Sequence, residues 1–311
     1  MNSKRYAKSL QLGKFLNFSE RIAQVLLYRR VPKGVTMQRN IPYASNSKYQ
    51  VTDLIFPSKS NGKMPLLLYI HGGGWISGLK DMRHTYCFNY AKAGYFVANI
   101  DYEYSPYVQY PTPIQQCLNA VDYLFDNAEK YNIDTSRIIL GGESAGGYFV
   151  CMLAAIAKDK SLLDRIGLSL KHTEFDVVAN IVISGAFDII ELATSKFLNM
   201  DVMLEAFTNL TNEQILSSDN ADKVYEMSPV SHVQANYPPT MIVYATHDPL
   251  RIESFDLHKK LNEFNVPNML YKCDGILLGN HAWAIATVVK KAKLCVQATI
   301  NFVNTYVNSN K

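Results

Sequence analysis

Two glycine motifs, each placed at the end of a strand-like run, constrain this chain more than any other feature of its sequence. One of them, Gly142-Glu143-Ser144-Ala145-Gly146, follows the run Arg137 to Leu140 and opens into a small-residue, helix-like run from Tyr148 to Ala157. A G-x-S-x-G between strand and helix makes a tight turn whose glycines let neighbouring backbone pass close while the serine hydroxyl stands exposed. The other, His71-Gly72-Gly73-Gly74-Trp75, follows the apolar run Leu66 to Ile70. Three consecutive glycines leave backbone N–H groups free to face a ligand, and such donors stabilise the oxyanion formed when an ester or amide carbonyl is attacked. A lone G-x-S-x-G arises by chance in roughly one chain in ten of this length and an H-G-G-G in on the order of a few per thousand, so the pair is specific where the pentapeptide alone is not.

Strand-like and helix-like stretches alternate around these motifs. Short apolar runs occur at Tyr49 to Phe56, Leu66 to Ile70, Phe96 to Ile100, Ile138 to Leu140, Asn180 to Ser184, Met241 to Ala245 and Met269 to Cys273. Their near-continuous apolar character predicts strands buried on both faces of a mostly parallel sheet. Between them, Ile114, Cys117, Val121, Leu124, Phe125, Ala128 and Tyr131 recur at helical spacing, as do Ile285, Val289, Ala292, Val296, Ile300, Val303 and Val307. The alternation predicts an α/β fold, a doubly wound sheet with helices on both faces. One stretch departs from it. From Asp188 to Ser228 the sequence is helical in pattern and strandless, and it follows a strand end, where an insertion overhangs the carboxyl edge of the sheet as a small helical cap.

Composition narrows the class further. Of 311 residues, 48% are hydrophobic and 19% charged, which is enough apolar material for a large core. No run of eighteen apolar residues predicts a membrane span, and Met1 to Leu10 is polar and basic, unlike a signal peptide, so a cytoplasmic location is expected. The cysteines Cys87, Cys117, Cys151, Cys273 and Cys295 are scattered without C-x-x-C spacing, which argues against a disulfide framework or zinc site and for reduced, buried thiols. Charge is uneven. Residues 1–30 hold Lys4, Arg5, Lys8, Lys14, Arg21, Arg29 and Arg30 against Glu20 alone, a net +6, so the remainder carries −2 and offers nothing to nucleic acid. The same segment has Leu12, Phe15, Leu16, Ile22, Val25, Leu26 and Leu27 close to helical spacing. It reads as a lid or flanking helix packed over the body, with attachment to an anionic membrane or lipid substrate as the alternative.

An activated serine needs a base and an acid that orients the base. In strand–turn–helix hydrolases of this kind the chain order is serine, acid, histidine. Asp248 lies in Thr246-His247-Asp248-Pro249, just after the run Met241 to Ala245, and His281 lies in a loop between the last strand and the last helix. Asp248 also suits a turn or helix cap, and Asp256 and Glu253 are the acids next in line. Only His258, inside the helical stretch Ser254 to Leu261, competes with His281 after Asp248. His71 reads as an organiser of the glycine loop, His247 as a neighbour, Trp75 as pocket wall or core, and Glu143 as a residue holding the turn.

The stretches Asp101-Tyr102-Glu103-Tyr104-Ser105-Pro106, Tyr110-Pro111, Asn132-Ile133-Asp134-Thr135-Ser136-Arg137-Ile138, Ser228-Pro229-Val230, Pro238-Pro239 and His247-Asp248-Pro249-Leu250 frame these motifs. Over roughly residues 45–305 the chain resembles the hormone-sensitive-lipase and feruloyl-esterase-like branch of the α/β-hydrolases. The resemblance implies an α/β-hydrolase domain at 45–311, with its cap at about 188–228, preceded by a basic helical segment at 1–44. It implies carboxylester hydrolysis by Ser144, Asp248 and His281 and an oxyanion hole from the N–H groups of Gly73, Gly74 and Ala145; beside these, Trp75 and Glu143 are the residues expected to contact substrate. Small-molecule esters are the implied partners, and no metal or organic cofactor is implied. Family members commonly carry Asp-Tyr-Arg-Leu where this chain has Asp101-Tyr102-Glu103-Tyr104, and an Asp near Gln116, and His-x-Phe where it has His281-Ala282-Trp283. These differences bear on substrate preference. An amidase of the arylformamidase type uses the same groups, and a non-catalytic binding module is the reading from another class.

Overall fold

A computed structural model describes residues 1–27, 30–44, 47–275 and 279–309. Of the N-terminal residues singled out above, Arg29 and the side chains of Val25, Leu26 and Leu27 lie outside that description. Eight strands form one sheet: β1 (Val35–Pro42), β2 (Val51–Pro57), β3 (Met64–Ile70), β4 (Phe96–Ile100), β5 (Ile133–Glu143), β6 (Ala179–Ile183), β7 (Thr240–Ala245) and β8 (Asn268–Cys273). Their spatial order is β1-β2-β4-β3-β5-β6-β7-β8. The pairs β1/β2 and β2/β4 run antiparallel, and every other pair runs parallel.

The apolar runs become central strands because both of their faces are covered. In β3, Leu66, Leu68 and Ile70 enter one core while Leu67 and Tyr69 enter the other, as the two-residue strand period requires. Helices Thr112–Asp126 and Ala145–Lys158 cover the first face, and helices His84–Lys92 and Lys290–Ser309 cover the second.

Strand order positions the site. The chain leaves β3 for β4 on one side and returns to β5 on the other, so the crevice between the carboxyl ends of β3 and β5 is a topological switch point. Ile70 of β3 pairs with Gly142 of β5, which brings the two glycine motifs side by side across about seventy residues of sequence.

Two elements differ from expectation. Residues 35–42, read as part of a basic helical segment, form the edge strand β1. Its sequence, VTMQRNIP, has no continuous apolar run because an edge strand leaves much of itself to solvent, and its ladder breaks between Gln38 and Ile41. At the opposite edge β8 is mostly half-buried or exposed, unlike the double-sided burial expected of it. Between residues 188 and 228 the chain is helical, with helices Ile189–Thr194, Met200–Thr208, Asn212–Ile215 and Ala221–Met227. The N-terminal helix Ser3–Leu27 lies against this region: Arg5 pairs with Asp201 at 2.7 Å and Glu205 at 2.5 Å, and Leu12 and Leu16 pack on the core.

Candidate active site

Ser144 sits between β5 and the helix Ala145–Lys158 with φ 54° and ψ −124°, a conformation that costs a non-glycine residue on the order of 1–3 kcal/mol. The surrounding backbone fixes it: Ser144 N–H donates to the Ile183 carbonyl at 2.9 Å, and Gly146 approaches so closely that a Cβ there would lie 2.0 Å from the Ile70 oxygen. The turn therefore requires glycine at 146 and lifts the serine hydroxyl out of the sheet.

His281 and Asp248 complete a row. His281 Nε2 lies 2.9 Å from Ser144 Oγ, and its Nδ1 lies 2.9 Å from Asp248 Oδ2. Asp248 is fully buried, and its Oδ1 accepts the Leu250 N–H at 2.9 Å. Burial pushes the Asp248 carboxyl up, but the hydrogen bond and charge of His281 together with the Leu250 N–H outweigh it and hold the carboxyl below its ordinary range. The competing groups are engaged elsewhere. Glu253 accepts N–H groups of Phe187 and Asp188, His258 Nδ1 meets Asn268 Oδ1, and His247 is exposed.

The glycine loop faces the serine. Gly73 has φ 132°, and a Cβ there would lie 2.1 Å from the Ser77 oxygen, so only glycine permits this loop. Among the described residues no acceptor meets the N–H groups of Gly73, Gly74 or Ala145, and all three residues line the same cavity as Ser144 and His281. His71 braces the loop, with Nδ1 2.7 Å from the Gly72 oxygen and its ring stacked on Tyr102 at 4.5 Å.

Glu143 explains how the two motifs hold each other. Its buried carboxylate accepts the Gly72 N–H at 2.7 Å, the Tyr69 hydroxyl at 2.6 Å and the Arg83 Nε–H at 2.7 Å. Arg83 in turn donates to Glu20 of the N-terminal helix at 3.0 Å. Burial alone lowers the affinity of Arg83 for its proton, but the charges of Glu143 and Glu20 more than reverse this and keep the guanidinium cationic. A charged chain thus runs from the N-terminal helix to the glycine loop. Sequence reading found Glu143 but not Arg83, Glu20 or Ser184, whose Oγ accepts the Ala282 N–H at 3.3 Å beside the histidine. No local pattern marks them.

The cavity over Ser144 has a volume of about 510 Å³. Leu16, Ser19, Glu20 and Ala23 of the N-terminal helix form one wall, Phe197, Met200 and Met203 a second, and Trp283, Ile285 and Val288 a third. The ring of Phe197 meets His281 edge-on at 4.9 Å. Trp75 is both wall and core: it lines the cavity and stacks on Phe207 at 4.8 Å, almost fully buried. Elsewhere Asp53, Asp81 and His84 lie close enough to share a cation, but the buried Lys80 ammonium already sits 3.0 Å from Asp53 and 3.1 Å from Asp81. Among the described residues no helix is long and apolar enough to cross a membrane.

Comparison with known proteins agrees with this architecture. The BD-FAE family model matches residues 52–261. An esterase of Gibberella moniliformis (strain M3125 / FGSC 7600) is 25% identical over 258 residues, covering 78% of this chain and 75% of that protein. An arylesterase of Saccharolobus solfataricus is 25% identical over 253 residues, covering 80% and 79%. The structure of esterase B from Lactobacillus rhamnosis inhibited by a tributyrin phosphonate superposes with a TM-score of 0.84 at 20% identity, over 100% of this chain and 98% of that one, a likeness of fold. The chain belongs to the BD-FAE family and is an esterase of the α/β-hydrolase fold.

Proposed function

We propose that this chain hydrolyses carboxylic esters of small to medium acyl groups through a covalent acyl-enzyme on Ser144. The observation that carries the reading is the continuous row Ser144 Oγ, His281 and Asp248, each link 2.9 Å, beside three backbone N–H groups without acceptors among the described residues. His281 takes the hydroxyl proton as Ser144 attacks the ester carbonyl, and Asp248 holds the imidazole and stabilises its cationic form. The N–H groups of Gly73, Gly74 and Ala145 receive the tetrahedral oxyanion, and the helix Ala145–Lys158 adds its positive end. The intermediate collapses, the alcohol leaves with the proton from His281, and a water deprotonated by the same histidine releases the acid.

The walls around Ser144 favour a neutral, apolar acyl or alcohol group. Their charged groups Glu20, Arg83 and Glu143 are already paired with one another, and residues 188–228 together with the N-terminal helix size the pocket. The test is turnover of p-nitrophenyl esters from acetate to decanoate with a Ser144→Ala control. The expected result is activity that the substitution lowers by about 10⁶ and that falls off along the series where the acyl chain outgrows the cavity. Folded protein without turnover on any ester would overturn the proposal.

A further inference from the structure

The N-terminal helix has two chemically distinct faces. Its inner face is used up: Ser9 and Gly13 are buried, Leu16 lines the cavity, and Arg5 and Glu20 are held in ion pairs with the body. Its outer face carries Phe15, Phe18 and Ile22, 65%, 64% and 52% exposed. Lys4, Lys8, Phe15 and Ile22 follow one another at intervals of four and seven residues, and Lys14, Phe18 and Arg21 at intervals of four and three, so each set forms one line along the helix. All four of these cations are exposed. Glu20, the one acid between Ser3 and Leu27, points inward to Arg83, and among the described residues the one body carboxylate whose charge senses these cations, Asp201 near Lys8, is already paired with Arg5.

This surface adjoins the cavity over Ser144. The same helix supplies a cavity wall, and the opposite walls end in further exposed apolar groups: Trp283, and Leu198 next to Phe197. Three large apolar side chains held in water beside clustered cations are what an anionic lipid surface accepts, the rings entering the acyl boundary and the cations meeting the headgroups. A symmetric contact with a second copy would set this cationic face against itself, which the charge opposes.

We propose that the outer face of helix Ser3–Leu27 docks on anionic lipid surfaces and that the ester substrates are water-insoluble acyl esters drawn from such a surface. The substrate half rests on the esterase reading, and the docking half does not. Docking is measured by co-sedimentation of the full chain with phosphatidylcholine vesicles, with and without about one third phosphatidylglycerol. Binding is expected only to the anionic vesicles, and at least about tenfold weaker when salt is raised from about 0.05 M to about 0.5 M. The double variants Phe15→Ser/Phe18→Ser and Lys8→Gln/Lys14→Gln should each weaken it by about tenfold or more. Both should hydrolyse soluble p-nitrophenyl butyrate at the parent rate, which shows that they fold. Docking is overturned if the parent ignores anionic vesicles, if binding is indifferent to both variants, or if sedimentation velocity finds a dimer that Phe15→Ser/Phe18→Ser dissolves. Vesicle binding by a parent chain inactive both on soluble esters and on a long-chain triacylglycerol carried in the anionic vesicles would sustain docking and overturn the substrate half.

Discussion

At the scale of the residue, Asp248 is held between opposing effects. Removing its surroundings' water raises the carboxyl, while His281 and the Leu250 N–H lower it by more. Its negative charge is therefore retained in a buried place, where on the proposed mechanism it stabilises the imidazole as that becomes cationic. Asp248→Asn keeps the shape and loses that charge, so kcat should fall by about 10⁴ while the melting temperature stays within a few degrees. Glu253→Gln and Asp256→Asn, assayed beside it, should keep most of their turnover, since neither side chain reaches His281; a greater loss at either would reassign the acid. The residue types at 144, 248 and 281 were readable from order and spacing along the chain. Arg83 was not: its role comes from being buried between Glu143 and Glu20, residues 60 and 63 positions from it on either side in sequence.

At the scale of the element, the N-terminal helix is best understood through Gly13. A Cβ there would lie 2.5 Å from the Ile76 oxygen, in the stretch that follows the glycine loop, so the helix rests on that backbone with no room for a side chain. Asn17 strengthens the seat, its Oδ1 accepting the Gly78 N–H at 2.8 Å. Gly13→Val should lift the helix from the loop and loosen the wall formed by Leu16, Ser19, Glu20 and Ala23. The expected outcome is a KM for p-nitrophenyl octanoate raised by about tenfold with a smaller change in kcat, together with faster proteolysis within residues 1–27. An unchanged KM would show that the helix does not bound the substrate. Helical spacing in residues 1–30 announced a helix, but not which side faces the body, because cations and apolar groups occur on both.

At the scale of the whole molecule, Glu253 makes stability depend on pH in an unusual direction. It lies on helix Arg251–Glu263, and its Oε2 accepts the Phe187 and Asp188 N–H groups after β6, joining that helix to the loop at the carboxyl end of β6. Burial raises its pKa from 4.5 to about 8, more than those two hydrogen bonds lower it. Between these values the folded chain binds a proton that the unfolded chain has released, so this group's contribution falls as pH rises from about 4.5 to about 8. Glu253→Gln keeps the acceptor and removes the titration. Its melting temperature relative to the parent should rise between pH 5 and pH 9, with the variant the more stable at pH 9. Equal differences at both values would show that Glu253 is charged in the fold.

The sequence by itself determined what local pattern can report: the central strands as continuous apolar runs, the helices as three-and-four spacing, two glycine turns, and the identity of a serine, an acid and a histidine in hydrolase order. It did so because burial, backbone freedom at glycine and chemical type all act within a few residues. Only the tertiary structure decided that β3 and β5 are neighbours, so that Gly72 meets Glu143 across the crevice. It also decided that β1 closes an edge without an apolar run, that Phe197 from residues 188–228 covers His281, and that the N-terminal helix walls the cavity. These depend on which distant segments pair once the chain is closed on itself, and strand order and helix docking are set by the summed packing of the whole core.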